Sequence, residues 1–363
     1  MTLIPQRTVA SQVAERIRTD ILRETWKHWL PSERVLSQTL QAGRNTIRKA
    51  FSQLQSEGLI AANHGVGYKI IRRARAVTAR KMIRTVAILI PDQLAGLRPF
   101  VVLWINELKD LLIENHRRLV VYESKILSRD KPGRMMDRLL KQDAPDVWIL
   151  ALSSHATQSW FATRGLPCVL AGSCYADISL PSLDLDYRAV CRHAAGMLLR
   201  HGHRRLALIG LETQHAGDIE SEHGFLEGVR GFQQYEASAE IIRVQNDSTS
   251  IGRAIRRLLD RDEPVTGLVV CNSYSYLTIS SLLAQRGLRI PHDVSLISRD
   301  DDHFLQYIEP SPARYIASPH IFAMKMLGAI LKVSSQGQNA QKAEVRVLPK
   351  LMRGGSIATP SIR

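Results

Sequence analysis

LPSERVLSQTL at 30–40 and RNTIRKAFSQLQSEGLI at 44–60, followed by HGVGYKI at 64–70, decide the character of the front of this chain. In the second stretch Ile47, Ala50, Phe51 and Leu54 fall at i, i+3, i+4 and i+7. They draw one apolar stripe on a helix that starts after Gly43, while Arg44, Asn45, Arg48 and Ser52 lie off it. In the first stretch Pro31 breaks the chain, and Ser32 is an N-cap residue for a short helix carrying Val35, Leu36 and Leu40. Upstream, Val9, Val13, Ile17 and Ile21 recur every fourth residue and predict an amphipathic helix from Thr8 to about Trp26. Downstream, Gly58 ends the third helix, and 59–71, with Gly65 and Gly67 at its centre, reads as two short strands around a glycine turn. Three short helices and a hairpin give a compact α+β domain over residues 1–71.

Charge adds a partner to this frame. The chain has a net charge of +15, yet residues 1–84 alone carry 16 lysines and arginines against 5 acidic residues, a net +11. A cationic segment of this kind attracts a polyanion, either nucleic acid or an acidic membrane surface. The first turn of the third helix offers Arg44, Asn45, Thr46 and Arg48 beside the free backbone N–H groups of a helix N-terminus, which favour phosphate. Arginine holds guanine through two bonds and asparagine holds adenine likewise, so this turn in a major groove both reads bases and grips the backbone. Residues 72–84, RRARAVTARKMIR, carry six basic residues without apolar periodicity and read as a linker, disordered in the absence of DNA.

With its internal spacing, the series at 30–40, 44–60 and 64–70 resembles the GntR family of winged helix-turn-helix regulators. The resemblance implies DNA contacts from Arg34 on the second helix, from Arg44, Asn45, Thr46 and Arg48 on the recognition helix, and from His64 and Gly65 at the wing. Gly43 stands where that family has Ser or Thr, so a helix cap and a phosphate contact are missing; glycine is still a tolerable N-cap, at a cost of a few tenths of a kcal/mol.

Beyond residue 84 the pattern changes. Apolar runs at 85–90, 119–122, 147–152, 168–171, 205–210, 240–244, 267–271 and 294–298 alternate with helical stretches, the first of them around 99–116. Strands alternating with helices imply parallel sheets, and there are more strands than one small sheet needs, so two α/β lobes are expected. Asn272 after GLVVC and Asp300 after VSLIS stand at strand carboxyl ends, where ligands of open α/β sheets sit, although such residues more often cap turns or helices.

Read together, DLDYRAVCRHAAGMLLRHGHRRLALIG, EHGFLEGVRGF and PVTGLVVCNSYSYLTISSLLAQRGLRIPHDVSLISRDDD resemble the LacI/GalR effector domain, which is similar to periplasmic sugar-binding proteins. The likeness runs from Thr85 to VRVLPKLMRGGS at 345–356 and implies an effector-binding and dimerisation domain over 85–357. Its lobes are expected at 85–183 with 314–342 and at 184–313 with 343–357, joined by three crossovers, with effector in the cleft. The combination is similar to arabinose-responsive repressors, which implies a cytoplasmic homodimer on paired half-sites of a double-stranded DNA operator. Three departures bear on the ligand. Ser221 replaces the arginine that grips sugar hydroxyls in sugar-responsive relatives, Ser273 replaces the Asp after the Asn, and Ser298-Arg299 replaces the glycine before the Asp pair. Asn272 and Asp300 remain, and Asp92 after the first strand is the expected partner on the opposite wall. An unusual saccharide, another polar metabolite or no effector all stay open.

Other classes find little support. No apolar run approaches 18 residues and no secretory signal is visible. Cys168, Cys174, Cys191 and Cys271 form no C-x-x-C pair and read as reduced, mostly buried thiols. The 12 histidines give no triad, no H-E-x-x-H and no G-x-S-x-G elbow, so no catalytic residue, metal or cofactor is expected. His215, Asp218, Glu220, Glu222 and His223 cluster as a metal site would, but a solvated loop and helix start is the simpler reading. The expected function is therefore a DNA-binding transcriptional regulator, a repressor by analogy; a ligand-independent architectural DNA binder and, behind it, a metal-dependent enzyme are the alternatives.

Overall fold

The computed structural model describes residues 9–22, 25–26, 28–63, 67–71, 84–124, 133–142, 144–213, 215–232, 236–336 and 343–361. The chain divides into two compact units, Met1–Ile83 and Arg84–Arg363. The linker residues 72–83 lie outside the described residues.

In the first unit, helices α1 (Val9–Leu22), α2 (Glu33–Thr39) and α3 (Arg44–Ser56) precede the antiparallel strands β1 (Ile60–Asn63) and β2 (Gly67–Ile70). The stripe of α3 is wholly buried, and Val13, Ala14, Ile17 and Ile21 of α1 pack on it with Leu36 and Ile60. Val9, at the start of α1, is the exception: among the described residues it is 62% exposed. Val35 is likewise exposed, which leaves Leu36 as the buried anchor of α2. Gly58 takes φ +69°, a left-handed conformation costly for other residues, and turns the chain from α3 into β1. Phe51 of α3 meets Tyr68 of β2 with ring centroids 4.3 Å apart, so the helix and the hairpin share one core.

The second unit holds two six-stranded sheets. The first sheet has the order β13-β7-β6-β5-β3-β4, from β3 (Arg84–Ile90), β4 (Arg117–Glu123), β5 (Val147–Ala151), β6 (Cys168–Ala171), β7 (Ser182–Leu185) and β13 (Glu344–Val347), all parallel. The second has the order β14-β12-β11-β10-β8-β9, from β8 (Arg205–Leu211), β9 (Ser238–Val244), β10 (Gly267–Val270), β11 (Ser295–Ser298), β12 (Ala313–Ile316) and β14 (Lys350–Met352); only the β12–β14 pair is antiparallel. Both faces of each sheet are covered, which is why the central strands read as continuous apolar runs. Val86, Ile88 and Ile90 pack with α4 (Pro99–Glu114) and α11 (Pro319–Gln336). Ala87 and Leu89 on the opposite face pack with α5 (Gly133–Gln142) and α6 (His155–Arg164). In the second lobe, α7 (Tyr187–Arg200) and α8 (Ala216–Arg230) cover one face, and α9 (Ser248–Leu259) and α10 (Ser273–Gln285) the other.

The chain passes between lobes three times: after β7, between β12 and α11, and between β13 and β14. The lobe boundaries expected from sequence need correction at each. The 183/184 boundary falls inside β7 and the 313/314 boundary inside β12, and residues 344–347 pair with β7 in the first sheet instead of joining the second lobe. The C-terminal segment returns one strand to each sheet. Strands β7 and β12 escape composition because polar residues interrupt them: Asp184 lies within SLDL, and Arg314 within ARYI donates to Asp301 at 2.6 Å.

Helices α7 and α8 pack closely against each other. A Cβ at Gly224 would lie 2.1 Å from the Arg188 carbonyl oxygen, whereas one at Gly328, exposed within α11, would meet nothing within 4 Å. Gly224→Ala is expected to destabilise by about 1–3 kcal/mol through overpacking, and Gly328→Ala to stabilise by up to about 1 kcal/mol through helix propensity. Denaturant unfolding of both variants checks the opposite signs.

Candidate nucleic-acid interface and candidate effector cleft

Helix α3 starts without a side-chain cap, because Gly43 has none to give, and at its start Arg44, Asn45 and Arg48 are exposed and Thr46 half-buried, while Ile47 points into the core. Ser32 caps α2 through a bond from the Val35 amide at 3.4 Å. Arg34, on α2, and Arg44 and Asn45, on α3, are exposed. Among the described residues, neither Arg34 nor Arg44 has an ion-pair partner. Arg48 differs: its Nε donates to Glu33 at 2.9 Å, an exposed pair of the kind that contributes little to stability. His64 and Gly65 lie outside the described residues, between Asn63 and Gly67, which pair at the end of the hairpin.

Between the two lobes lies a cavity of about 140 Å³. One wall is apolar, with Phe100, Val101 and Trp104 of α4 and Phe322 of α11, whose rings pack at centroid distances of 5.2–5.7 Å. The facing wall is polar and comes from the second lobe, where His215, Gly217 and Asp218 open α8 and Arg299 follows β11. Asp184 and Tyr187, near the chain crossing after β7, and Ser173, after β6, also line it. A Cβ on Gly217 would stand 3.1 Å from Asp184 Oδ2, so glycine permits this close approach.

Ion pairs join the walls. Arg98, preceding α4, donates to Asp300 through Nη1 and to Asp302 Oδ2 through Nε at 3.3 Å. The Phe100 amide also donates to Asp302, at 3.1 Å, and the Ser273 hydroxyl donates to the same carboxylate. Arg299 donates to Asp300 at 3.2 and 3.4 Å, to Asp218 at 3.1 Å and to Ser221 Oγ at 2.9 Å, with its guanidinium over the Tyr187 ring. Burial, the largest single influence, lowers the pKa of both arginines, but the surrounding acidic groups acting together, Asp300 foremost with Asp302 at Arg98 and Asp218 at Arg299, hold each above its usual value. Asp302 is raised, chiefly by burial, against the pull of Arg98. Asp184 accepts from Ser173 Oγ at 2.6 Å and from the Leu185 amide at 2.8 Å, and burial still pushes it up to about 6. His215 is pushed down by burial, and its Nδ1 has no hydrogen-bond partner among the described residues.

None of the four residues expected to touch effector is on the cavity lining. Asp300 sits behind it, its carboxylate occupied by Arg98 and Arg299. Ser221 is fully buried and seats Arg299. Asn272 caps α10, accepting from the Tyr274 and Ser275 amides at 2.9 and 3.1 Å. Asp92 accepts from the Gln93 amide at 2.8 Å. The polar lining residues that sequence reasoning did not assign to effector include Arg98, Asp184, Tyr187, His215, Asp218 and Arg299, although His215 and Asp218 are members of the polar cluster noted in the sequence and Arg299 is part of a departure from the family pattern. A signal existed for one of them: an arginine directly before three aspartates, at the end of a buried strand, has carboxylates to pair with. The polar cluster around α8 is dispersed into separate partnerships, Asp218 to Arg299, Glu222 to Arg243 and Glu220 to Arg188. Among the described residues no group of three or more His, Cys, Asp or Glu is placed to hold a metal ion, and no helix is long and apolar enough to cross a membrane.

Residues 9–70 match the gntR family of bacterial regulatory proteins, and residues 195–357 match the periplasmic binding protein-like domain. The chain is 23% identical over 289 residues to the arabinose metabolism transcriptional repressor of Geobacillus stearothermophilus, covering 76% of each chain. It is 23% identical over 322 residues to the transcriptional repressor CytR of Escherichia coli K12, covering 88% of this chain and 89% of that one. Among solved structures, a complex of the transcriptional regulator CelR with cellobiose aligns over 97% of this chain and all of its own, with TM-score 0.65 and 18% identity. A LacI-family regulator of Enterococcus faecium with bound ribose aligns over 76% of this chain and 99% of its own, with TM-score 0.61 and 19% identity. These structural likenesses concern the fold.

Because the folded state binds the Asp184 proton more tightly than the unfolded chain does, the stability this group contributes is present at low pH and is lost as pH rises towards about 6. Urea unfolding across that window should show a downward slope in the wild type that is shallower in Asp184→Asn. Equal slopes would assign the proton to another group.

Proposed function

Since the chain is a DNA-binding transcriptional regulator that joins a GntR-type helix-turn-helix domain to a periplasmic-binding-protein-like domain, we propose that a neutral saccharide in the interlobe cleft sets its affinity for an operator. The observation that carries this reading is the amphipathic cavity itself: aromatic and aliphatic side chains on one wall suit the carbon face of a sugar, and convergent polar groups on the other suit its hydroxyls. Neutrality follows from charge pairing. Among the described lining residues both arginines have their charge matched by the carboxylates of Asp218, Asp300 and Asp302, which disfavours a phosphate ester. Relatives named for arabinose metabolism, or solved with ribose or cellobiose, support the ligand class.

In the proposed mechanism the effector binds one arrangement of the lobes better than another, and that difference alone moves the equilibrium. The regulator acts in the cytoplasm as a homodimer, and a change of lobe angle alters the spacing of two winged helices on half-sites about one helical turn, or a multiple of it, apart. Arg44, Asn45, Thr46 and Arg48, with His64 and Gly65 of the wing, are assigned to DNA, and Arg34 to phosphate. Repression is the outcome favoured by the relatives' names.

On an operator isolated by selection from random duplexes, Arg44→Ala should cost about 1–3 kcal/mol and relax base preference, while Arg34→Ala should weaken specific and scrambled duplexes alike. Equal losses for both variants on both duplexes remove Arg44 from base reading. Fluorescence anisotropy in the presence of arabinose, ribose or cellobiose should shift operator affinity by about 1–3 kcal/mol for at least one sugar, and fructose 1-phosphate should leave it unchanged. Affinity indifferent to all four returns the reading to a ligand-independent DNA binder.

A further inference from the structure

Arg299 follows β11 and is only 6% exposed, yet it lines the cleft cavity. A guanidinium has five N–H donors. Here Nε serves Asp300, Nη1 serves Asp218 and Ser221, and Nη2 serves Asp300 once. One Nη2 hydrogen is left without an acceptor among the described residues. A buried, charged donor in that condition is unfavourable until something in the cavity accepts from it. The group is also rigid: two carboxylates hold its edges, and its carbon lies 4.0 Å from the centroid of the Tyr187 ring. Such a fork is set before a ligand arrives, so little order is lost on binding.

The two sequence departures at 221 and 299 form one structural exchange. Ser221 is fully buried, donates to the Gly217 carbonyl oxygen at 2.9 Å and accepts from Arg299 at 2.9 Å. An arginine side chain at 221 would compete for the space that the Arg299 guanidinium occupies, and the small serine makes a seat for it. The guanidinium therefore enters from the end of a strand and not from helix α8.

We propose that Arg299 is the specificity-determining residue of the cleft, donating its remaining N–H to a saccharide oxygen from the sheet side, with Ser221 as its seat. This rests on the saccharide reading of the cleft. Lysine at 299 keeps the charge but loses the fork, and an arginine returned to 221 offers a guanidinium from a different direction. The two changes therefore act differently on affinity and on the ranking of sugars.

The test is calorimetric titration of the full-length chain with arabinose, ribose and cellobiose, for the wild type, Arg299→Lys, Arg299→Gly and the double variant Ser221→Arg/Arg299→Gly. Circular dichroism and the sugar-free melting temperature report folding, because Arg299→Gly leaves Asp218 without its arginine. The expected result is that the wild type binds at least one sugar, and that Arg299→Lys weakens that sugar by about tenfold or more, the scale of one charge-assisted hydrogen bond. The double variant regains binding with a changed order of preference among the three sugars. Wild-type affinity and order in both folded Arg299→Lys and the double variant overturn the proposal and leave the saccharide reading intact. A wild type that binds none of the three overturns that reading and the proposal with it.

Discussion

Arg98 belongs to one lobe and ends on Asp300 and Asp302 of the other, so a single side chain carries ionic contacts across the cleft. Taking these charges out of water is expensive, and buried ion pairs are often no more stabilising than apolar residues of similar volume. Removing one partner is another matter: the charges left behind are unpaired in a dry site, at a cost of about 3–5 kcal/mol. The bridge thus contributes geometry more than stability. It ties the start of α4, at the edge of the apolar wall, to the aspartates that follow β11 on the polar side.

The carboxylates concerned serve both lobes. Asp300 receives Arg98 from one side and Arg299 from the other, while Asp302 receives a backbone amide, a hydroxyl and Arg98. A change in lobe angle alters several charge-assisted bonds together, and such coupled groups favour two discrete arrangements over a continuum.

Much of the fold was legible because periodicity reports burial. The α3 stripe and the runs at 85–90, 147–152 and 267–271 are apolar for the same reason that they are buried. What escaped were strands whose inward positions are polar. Asp184 is buried in SLDL because Ser173 and the Leu185 amide satisfy it, and Arg314 is buried in ARYI because Asp301 is beside it. No one-dimensional pattern announces a partner that is distant in sequence. The same limit governed the cleft. Asp300 and Asn272 stand where strand ends predict, but the side chains that reach the cavity are decided by which groups their neighbours already occupy, and Arg98 lies about two hundred residues from the aspartates it meets.

The three chain crossings between lobes have a mechanical meaning of their own. A single connector would leave the lobes free to swivel in any direction, whereas three, each fastened at both ends to a hydrogen-bonded sheet, resist sliding and shear. What remains soft is a bend or a twist about an axis through the connectors. Opening or closing of the cleft is therefore confined mainly to a change of angle about that axis.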